Sequence, residues 1–156
     1  METIILASAS PRRQEYFRML GLPFKVIPSP AEEILNEGLE PRQAVEELAI
    51  QKVNCVRELC KDREAPWIFG ADTIVLLNGQ IYGKPRDREH ARLMISELQG
   101  KSHEVITGIA LFNSRKGSID SCSVVSTVNF APMSDEEIQW YLDSGEWEGA
   151  AGAYQI

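Results

Sequence analysis

The chain alternates between apolar runs of strand character and segments in which apolar residues recur at spacings of three and four. The predicted strands cover residues 4–7, 24–27, 67–77, 80–82, 103–113 and 119–130. Helical segments follow residues that are suited to a helix start, namely Ser10, Pro41, Asp87 and Ser134. Asn78-Gly79 predicts an antiparallel hairpin between two of the strands. The serine-rich face of the last strand favours a position at the edge of a sheet.

The helices are predicted to bury one apolar side each. In the first helix this side consists of Tyr16, Phe17 and Leu20. The long helix from Pro41 to near Cys60 has an apolar stripe made of Val45, Leu48, Ala49, Val53, Val56 and Leu59.

Two charged residues fall at positions for which the pattern predicts burial. Lys52 lies inside the stripe of the long helix, four residues after Leu48 and four before Val56. Its ammonium group therefore either extends to solvent or meets a negative partner. Asp72 lies in the middle of the run 67–77, which is apolar on both faces and predicts a central strand. Because an unpaired buried carboxylate is costly, we expect Asp72 to face a cleft, a metal ion or a basic group.

The junction between the first strand and the first helix combines features of an anion site. Ser10 suits the N-cap position, and Pro11 suits the first helical position. Arg12 and Arg13 follow in the first turn, where the helix dipole favours acidic residues instead. Backbone N–H groups, the hydroxyls of Ser8 and Ser10 and two guanidinium groups would together bind a polyanion such as phosphate. A solvated arginine pair beside an ordinary cap is the alternative.

Further candidate groups lie in two irregular segments. Lys84 belongs to a Gly-Lys-Pro turn, where the glycine permits close approach of a ligand and the lysine supplies a charge. Glu33 lies beside Glu32 in a segment that ends at Pro41, and it is either a solvated acid or a metal ligand. Basic groups together with the carboxylates Glu33 and Asp72 are the components of a hydrolase that cleaves phosphate esters or anhydrides with a divalent cation.

Composition narrows the classes of protein to which the chain belongs. Its 156 residues are 44% hydrophobic and 25% charged, which is typical of a single globular domain. The net charge of −7 argues against a nucleic-acid or anionic-membrane surface, and no apolar run is long enough to span a membrane. Three cysteines without a secretion signal predict reduced thiols in a cytoplasmic protein, and two histidines argue against a zinc site. No P-loop motif is present.

Six segments along the whole chain resemble, in order, the motifs of the Maf family of nucleoside triphosphate pyrophosphatases. They are residues 6–13 (LASASPRR), 70–73 (GADT), 83–85 (GKP), 98–108 (LQGKSHEVITG), 141–145 (YLDSG) and 151–154 (AGAY). The collinear order of the first four makes the resemblance far more specific than any one motif.

This resemblance implies an α/β fold in which a mixed central β-sheet is flanked by helices, with two lobes and an active-site cleft. It also implies hydrolysis of a nucleoside triphosphate between the α and β phosphates, with Mg²⁺ or Mn²⁺ as cofactor and pyrophosphate as one product. The Ala-Asp-Thr form at residues 71–73 is similar to the branch acting on dTTP, UTP and modified pyrimidine nucleotides. The other branch prefers methylated GTP. A homodimer is compatible with the family.

The resemblance further implies a role for each matching residue. Asp72 matches the catalytic acid, described as a general base, and with Glu33 it is expected near the metal. Arg13 and Thr73 match positions linked to substrate choice. Positions that contact the triphosphate are matched by Ser10, Arg12, Arg13, Lys52 and Lys84.

Members of the family continue beyond the Ala-Tyr motif with Gln-Gly and a further helix and strand region. We therefore expect the domain of residues 1–156 to be short at its C-terminus relative to the family. Gln155 precedes Ile156 and is not expected to replace the specificity glutamine, which would come next. Two other functions stay open, namely a nucleotide-binding regulator of cell division with little or no hydrolysis, and a small-molecule phosphatase.

Overall fold

The computed structural model describes residues 2–30, 32, 34–60 and 65–155. Strands and helices are interspersed along these residues, as the hydrophobic pattern predicts. The strands are β1 Ile4–Leu6, β2 Phe24–Val26, β3 Trp67–Leu77, β4 Gln80–Tyr82, β5 Ser102–Asn113 and β6 Ser118–Asn129. The helices are α1 Pro11–Met19, α2 Pro41–Leu59, α3 Arg88–Leu98 and α4 Asp135–Asp143, followed by a 3₁₀ turn over Ala151–Ala153, the terminal turn.

The strands form one mixed six-stranded sheet with the order β2-β1-β3-β5-β6, and β4 pairs with β3. Strand β1 runs parallel to both β2 and β3, so that Leu6 lies opposite Val26 on one side and Phe69 on the other. Strand β4 is antiparallel to β3. Strand β6 is at the edge of the sheet and contains no buried residue, which confirms the prediction from its serines. The α/β fold with a mixed sheet is thus confirmed.

The chain divides into two compact units. The first comprises residues up to 72 and 107–123, and the second comprises 73–106 and those from 124 onward. In the first unit, α2 packs on the sheet around a cluster of small and β-branched residues that consists of Ile5, Ala7, Ala49, Val53, Val56, Cys60, Ile68 and Ala110. In the second unit, α3 packs against α4 and the terminal turn. The apolar side of α3 is buried there, with Ala91, Met94, Ile95 and Leu98.

Two glycines let α2 lie directly on the backbone of the sheet. A Cβ atom on Gly70 of β3 would lie 2.7 Å from the carbonyl oxygen of Ala49. A Cβ atom on Gly108 of β5 would lie 2.4 Å from the carbonyl oxygen of Val45. No real Cβ atom tolerates such distances to backbone, so larger residues would push the helix away. The close approach brings the buried side of α2 against the middle of β3.

The local signals for turns and helix starts are confirmed. Asn78 and Gly79 both have positive φ, as the predicted type I′ turn requires. The Asp87 carboxylate accepts a hydrogen bond from the His90 N–H at the start of α3, 2.8 Å away. Ser134 and Glu137 form a capping box at the start of α4.

Three predictions of burial were wrong. Tyr16 and Leu20 of the first helix are 51% and 70% exposed, and Phe17 alone is buried in α1. Leu59, the last residue of α2, is 56% exposed, while the rest of the predicted stripe is buried. In each case the periodic pattern extends beyond the surface against which the helix packs. Within the described part of the chain, no helix combines the length and apolar character needed to cross a membrane.

Candidate functional site

The junction of β1 and α1 forms one side of the candidate site. Ser10 occupies the N-cap position of α1, as predicted, and its side chain makes no capping hydrogen bond. Instead, the Ser10 N–H donates to the buried Ser8 hydroxyl oxygen, 3.2 Å away. Pro11 is the first helical residue, as predicted, and Arg12 follows, half-buried. The first turn of α1 contains no acidic residue to interact with the positive end of the helix dipole.

Arg13 links this junction to the central strand. Its Nη1 atom donates to the carbonyl oxygen of Ala71 at 2.8 Å and to the hydroxyl oxygen of Ser8 at 3.1 Å. The parallel pairing of β1 with β3 makes this contact possible, because Ala7 N–H donates to the Phe69 carbonyl and brings the end of β1 beside residue 71. Arg13 is therefore fixed in orientation and is not simply one of two solvated arginines.

Lys52 and Asp72 form a buried ion pair. The ammonium Nζ lies 2.9 Å from Asp72 Oδ1 and 3.4 Å from the carbonyl oxygen of Ala71. Lys52 is 8% exposed and Asp72 is 6% exposed. Of the alternatives left open for Lys52, the negative partner is the one that the fold realises. Asp72 faces a basic group, which is one of the three environments expected for it.

The carbonyl oxygen of Ala71 is a component that the sequence did not predict. It accepts from both Arg13 and Lys52, and so it joins the two cations to the residue just before Asp72. Ser8, Arg13, Lys52 and Asp72 are thereby brought together around one peptide group. Every residue has a backbone carbonyl, so no residue type at position 71 could have indicated this role.

The remaining candidate residues fall elsewhere in the described structure or outside it. Thr73, half-buried in β3, and Lys84, exposed after β4, belong to the second unit. The backbone before Lys84 is held by a hydrogen bond from the Gly152 N–H to the Gly83 carbonyl oxygen, 3.0 Å away. Glu33 lies outside the described residues, and its assignment as a metal ligand stays a prediction.

The described residues include no group of three or more His, Cys, Asp or Glu side chains that could hold a metal ion. Mg²⁺ and Mn²⁺ need fewer ligands from the protein, because they are commonly bound by one or two carboxylates together with substrate phosphates. In the described part of the candidate site, Asp72 supplies one carboxylate, and its Oδ1 is paired with Lys52.

Comparisons with known proteins agree with the motifs. A family model for Maf-like proteins matches residues 3–156. A protein named dTTP/UTP pyrophosphatase from Symbiobacterium thermophilum is 42% identical over 156 residues, which is 100% of this chain and 78% of that protein. Proteins of the same name from Desulforamulus reducens and Escherichia coli O157:H7 are 44% and 43% identical to this chain. Both matches cover 100% of this chain, and they cover 80% and 77% of the two relatives, respectively.

Among solved structures, the Ham1 protein of Staphylococcus aureus is similar in fold, with a TM-score of 0.55. The match covers 82% of this chain and 71% of that one at 14% sequence identity, and so it supports the architecture alone. The family model covers nearly the whole chain, and the relatives exceed 40% identity across it. The chain therefore belongs to the Maf-like protein family.

Proposed function

We propose that this protein is a nucleoside triphosphate pyrophosphatase that hydrolyses dTTP, UTP or modified pyrimidine nucleotides to the monophosphate and pyrophosphate. Its full-length similarity to proteins named dTTP/UTP pyrophosphatase is the observation that carries this proposal. The same names do not favour a regulator without hydrolysis. A cytoplasmic role in removing unwanted nucleotides, by a monomer or a homodimer, belongs to the proposal.

The cationic residues suit a triphosphate. We assign Arg12, Arg13, Lys52 and Lys84 to its phosphate oxygens, with Ser8 and Ser10 as further hydrogen-bonding groups. Support comes from the fixed guanidinium of Arg13 and from the start of α1, whose dipole attracts anions. Such groups stabilise the charge that is spread over the phosphate oxygens during phosphoryl transfer.

We assign Asp72 as the general base. A water molecule attacks the α-phosphorus, the proton of the water passes to Asp72, and the bond from the α-phosphorus to the bridging oxygen breaks, which releases pyrophosphate. The ion pair with Lys52 fixes the position of the carboxylate. Glu33 and Asp72 are the residues that we propose to hold Mg²⁺ or Mn²⁺. A bound cation supplies positive charge that neutralises the phosphates.

Arg13 and Thr73 are proposed to contribute to the choice of base or sugar. The support for Thr73 is its place directly after Asp72 in the Gly-Ala-Asp-Thr segment of β3. Arg13 is oriented by Ala71, two residues earlier in the same strand.

A panel of nucleoside triphosphates with identification of the products tests the proposal. We expect metal-dependent release of pyrophosphate from dTTP or UTP. Asp72→Asn should lower kcat by at least about 10²-fold, which is the usual contribution of a general base, while nucleotide binding remains. Asp120→Asn, at an exposed position of β6, is the matched control and should keep wild-type activity. Orthophosphate as the first product, or full activity of Asp72→Asn, would contradict the proposal.

A further inference from the structure

A buried pair in the second unit holds the end of the described chain. The hydroxyl oxygen of Tyr154 lies 2.5 Å from Nε2 of His103, and the residues are 9% and 3% exposed. The ring of Phe130 packs edge-on against both, with centroids 4.6 Å from Tyr154 and 4.9 Å from His103. The proposed reaction gives these residues no role.

Burial keeps both partners neutral. It raises the pKa of Tyr154 to about 12 and lowers the pKa of His103 below 6.5. The neutral phenol and the neutral imidazole can therefore share a hydrogen bond at neutral pH, and the tautomer of His103 decides which of the two donates. The other ring nitrogen of His103, Nδ1, is buried and has no hydrogen-bond partner among the described residues. The bond to Tyr154 therefore acts together with the edge-on contact of Phe130 to orient the imidazole ring.

The terminal turn next to Tyr154 is packed tightly against β3. Gly152 has a φ of +68°, and a Cβ atom there would lie 2.8 Å from Cγ2 of Val75. The hydroxyl of Tyr141 donates to the carbonyl oxygen of Ala153 at 2.9 Å. The turn thus has a defined position, and Tyr154 is the residue that directly follows it.

The terminal turn in turn holds the backbone that carries Lys84. The Gly152 N–H donates to the carbonyl oxygen of Gly83, 3.0 Å away. The residue before Gly83 is Tyr82, and its hydroxyl donates a hydrogen bond to Oε2 of Glu97 in α3, 2.5 Å away. The exposed Lys84 therefore extends from a backbone that is tied on one side to α3 and on the other to the terminal turn.

We propose that His103 and Tyr154 are positioning residues for Lys84, because their hydrogen bond fixes the terminal turn whose Gly152 N–H holds the Gly83 carbonyl. This inference rests on the proposed function, in which Lys84 binds the triphosphate. A lysine on a displaced backbone meets the phosphates less well, and small errors in position have large effects on binding and rate.

Tyr154→Phe tests the coupling, since it removes the hydroxyl and keeps the ring. We expect the Gly152 amide hydrogen to exchange about tenfold faster, because the turn opens more often. The KM for dTTP should rise about fivefold with a smaller change in kcat, as expected for a weakened binding contact. His103→Gln should change both quantities in the same direction. The matched control is Tyr16→Phe, at a half-exposed position of α1, which should change neither.

The Lys84→Ala background separates positioning from a general loss of structure. If Tyr154 acts through Lys84, then Tyr154→Phe should change KM by less than about twofold when Lys84 is already removed. An undiminished effect of Tyr154→Phe in that background, or unchanged exchange at Gly152, would overturn the inference.

Failure of the proposed function gives a different result. In that case the wild-type protein releases no pyrophosphate from any triphosphate of the panel, and binding of dTTP replaces KM as the readout. If the inference holds, Lys84→Ala and Tyr154→Phe should each still raise the Kd for dTTP. The double variant should bind little more weakly than Lys84→Ala alone. Unchanged binding in either variant would overturn it.

Discussion

The ammonium Nζ of Lys52 lies 2.9 Å from Oδ1 of Asp72, between α2 and the central strand β3. The two residues are 8% and 6% exposed, so each charge has lost most of its water and depends on the other. The glycine at position 70 makes this approach possible, since any Cβ there would collide with the backbone of α2. A residue proposed for catalysis is therefore also part of what joins the helix to the sheet.

Lys52→Met should strongly destabilise the fold. The substitution keeps the length of the side chain but leaves the Asp72 carboxylate buried without its partner, at a cost of about 3–5 kcal/mol. Urea denaturation measures the loss. Adding Asp72→Leu to Lys52→Met should recover much of it, because no buried charge remains. Lys25→Met, at an exposed position of β2, is the control. A loss below about 1 kcal/mol for Lys52→Met would show that the pair is solvated.

Arg13→Lys should weaken nucleotide binding while the net charge is unchanged. Both contacts come from Nη1 of Arg13, and a lysine replaces the rigid guanidinium and its remaining N–H donors with a single ammonium on a flexible stem. We expect the Kd for dTTP to rise about tenfold, equivalent to about 1.4 kcal/mol. Calorimetric titration with a nonhydrolysable analogue measures it. Arg18→Lys provides the comparison on the same helix, because Arg18 pairs with Glu15 at the surface. Equal Kd values for the Arg13→Lys and Arg18→Lys variants would contradict a role of Arg13 in nucleotide binding.

Gly108→Ala should destabilise the first unit through its close contact with α2. The new Cβ would lie 2.4 Å from the carbonyl oxygen of Val45, and backbone cannot rotate out of the way. We expect a loss of about 1–3 kcal/mol or more in urea denaturation, as for other overpacked sites. Gly83→Ala is the control for stability, because no atom lies within 4 Å of its Cβ position. A stable Gly108→Ala protein would mean that α2 can move away from the sheet at little cost.

Acidification should reduce stability through His103. Burial lowers the pKa of His103 in the folded protein below the ordinary value of 6.5. The contribution of neutral His103 to the free energy of unfolding is complete above pH 6.5. It declines as the pH falls from 6.5 toward the lower pKa of the folded protein, because in that range the unfolded chain binds a proton and the folded protein does not. Denaturation between about pH 7 and pH 5 measures the decline. It should be smaller in His103→Gln than in the wild-type protein. The same decline in His103→Gln would assign the effect to other groups.

Much of the fold follows from short-range signals in the chain. Pro11 and Pro41 begin helices as predicted, Asp87 caps α3 with its side chain, and Asn78 takes the positive φ of a hairpin turn. Each of these features depends on a few neighbouring residues. Family motifs added the architecture, which the hydrophobic pattern alone would not have specified.

By itself, the sequence determined the elements, the family and the identity of the candidate residues, including the expectation that Lys52 and Asp72 needed partners. Only the tertiary structure decided that they are each other's partner, 20 residues apart, and that Arg13 reaches a carbonyl 58 residues away. It also decided that Leu59 is exposed although it continues the stripe of α2. Local backbone preferences are set by adjacent side chains, whereas the partner of a buried charge depends on which distant strand the packing of the core brings beside it.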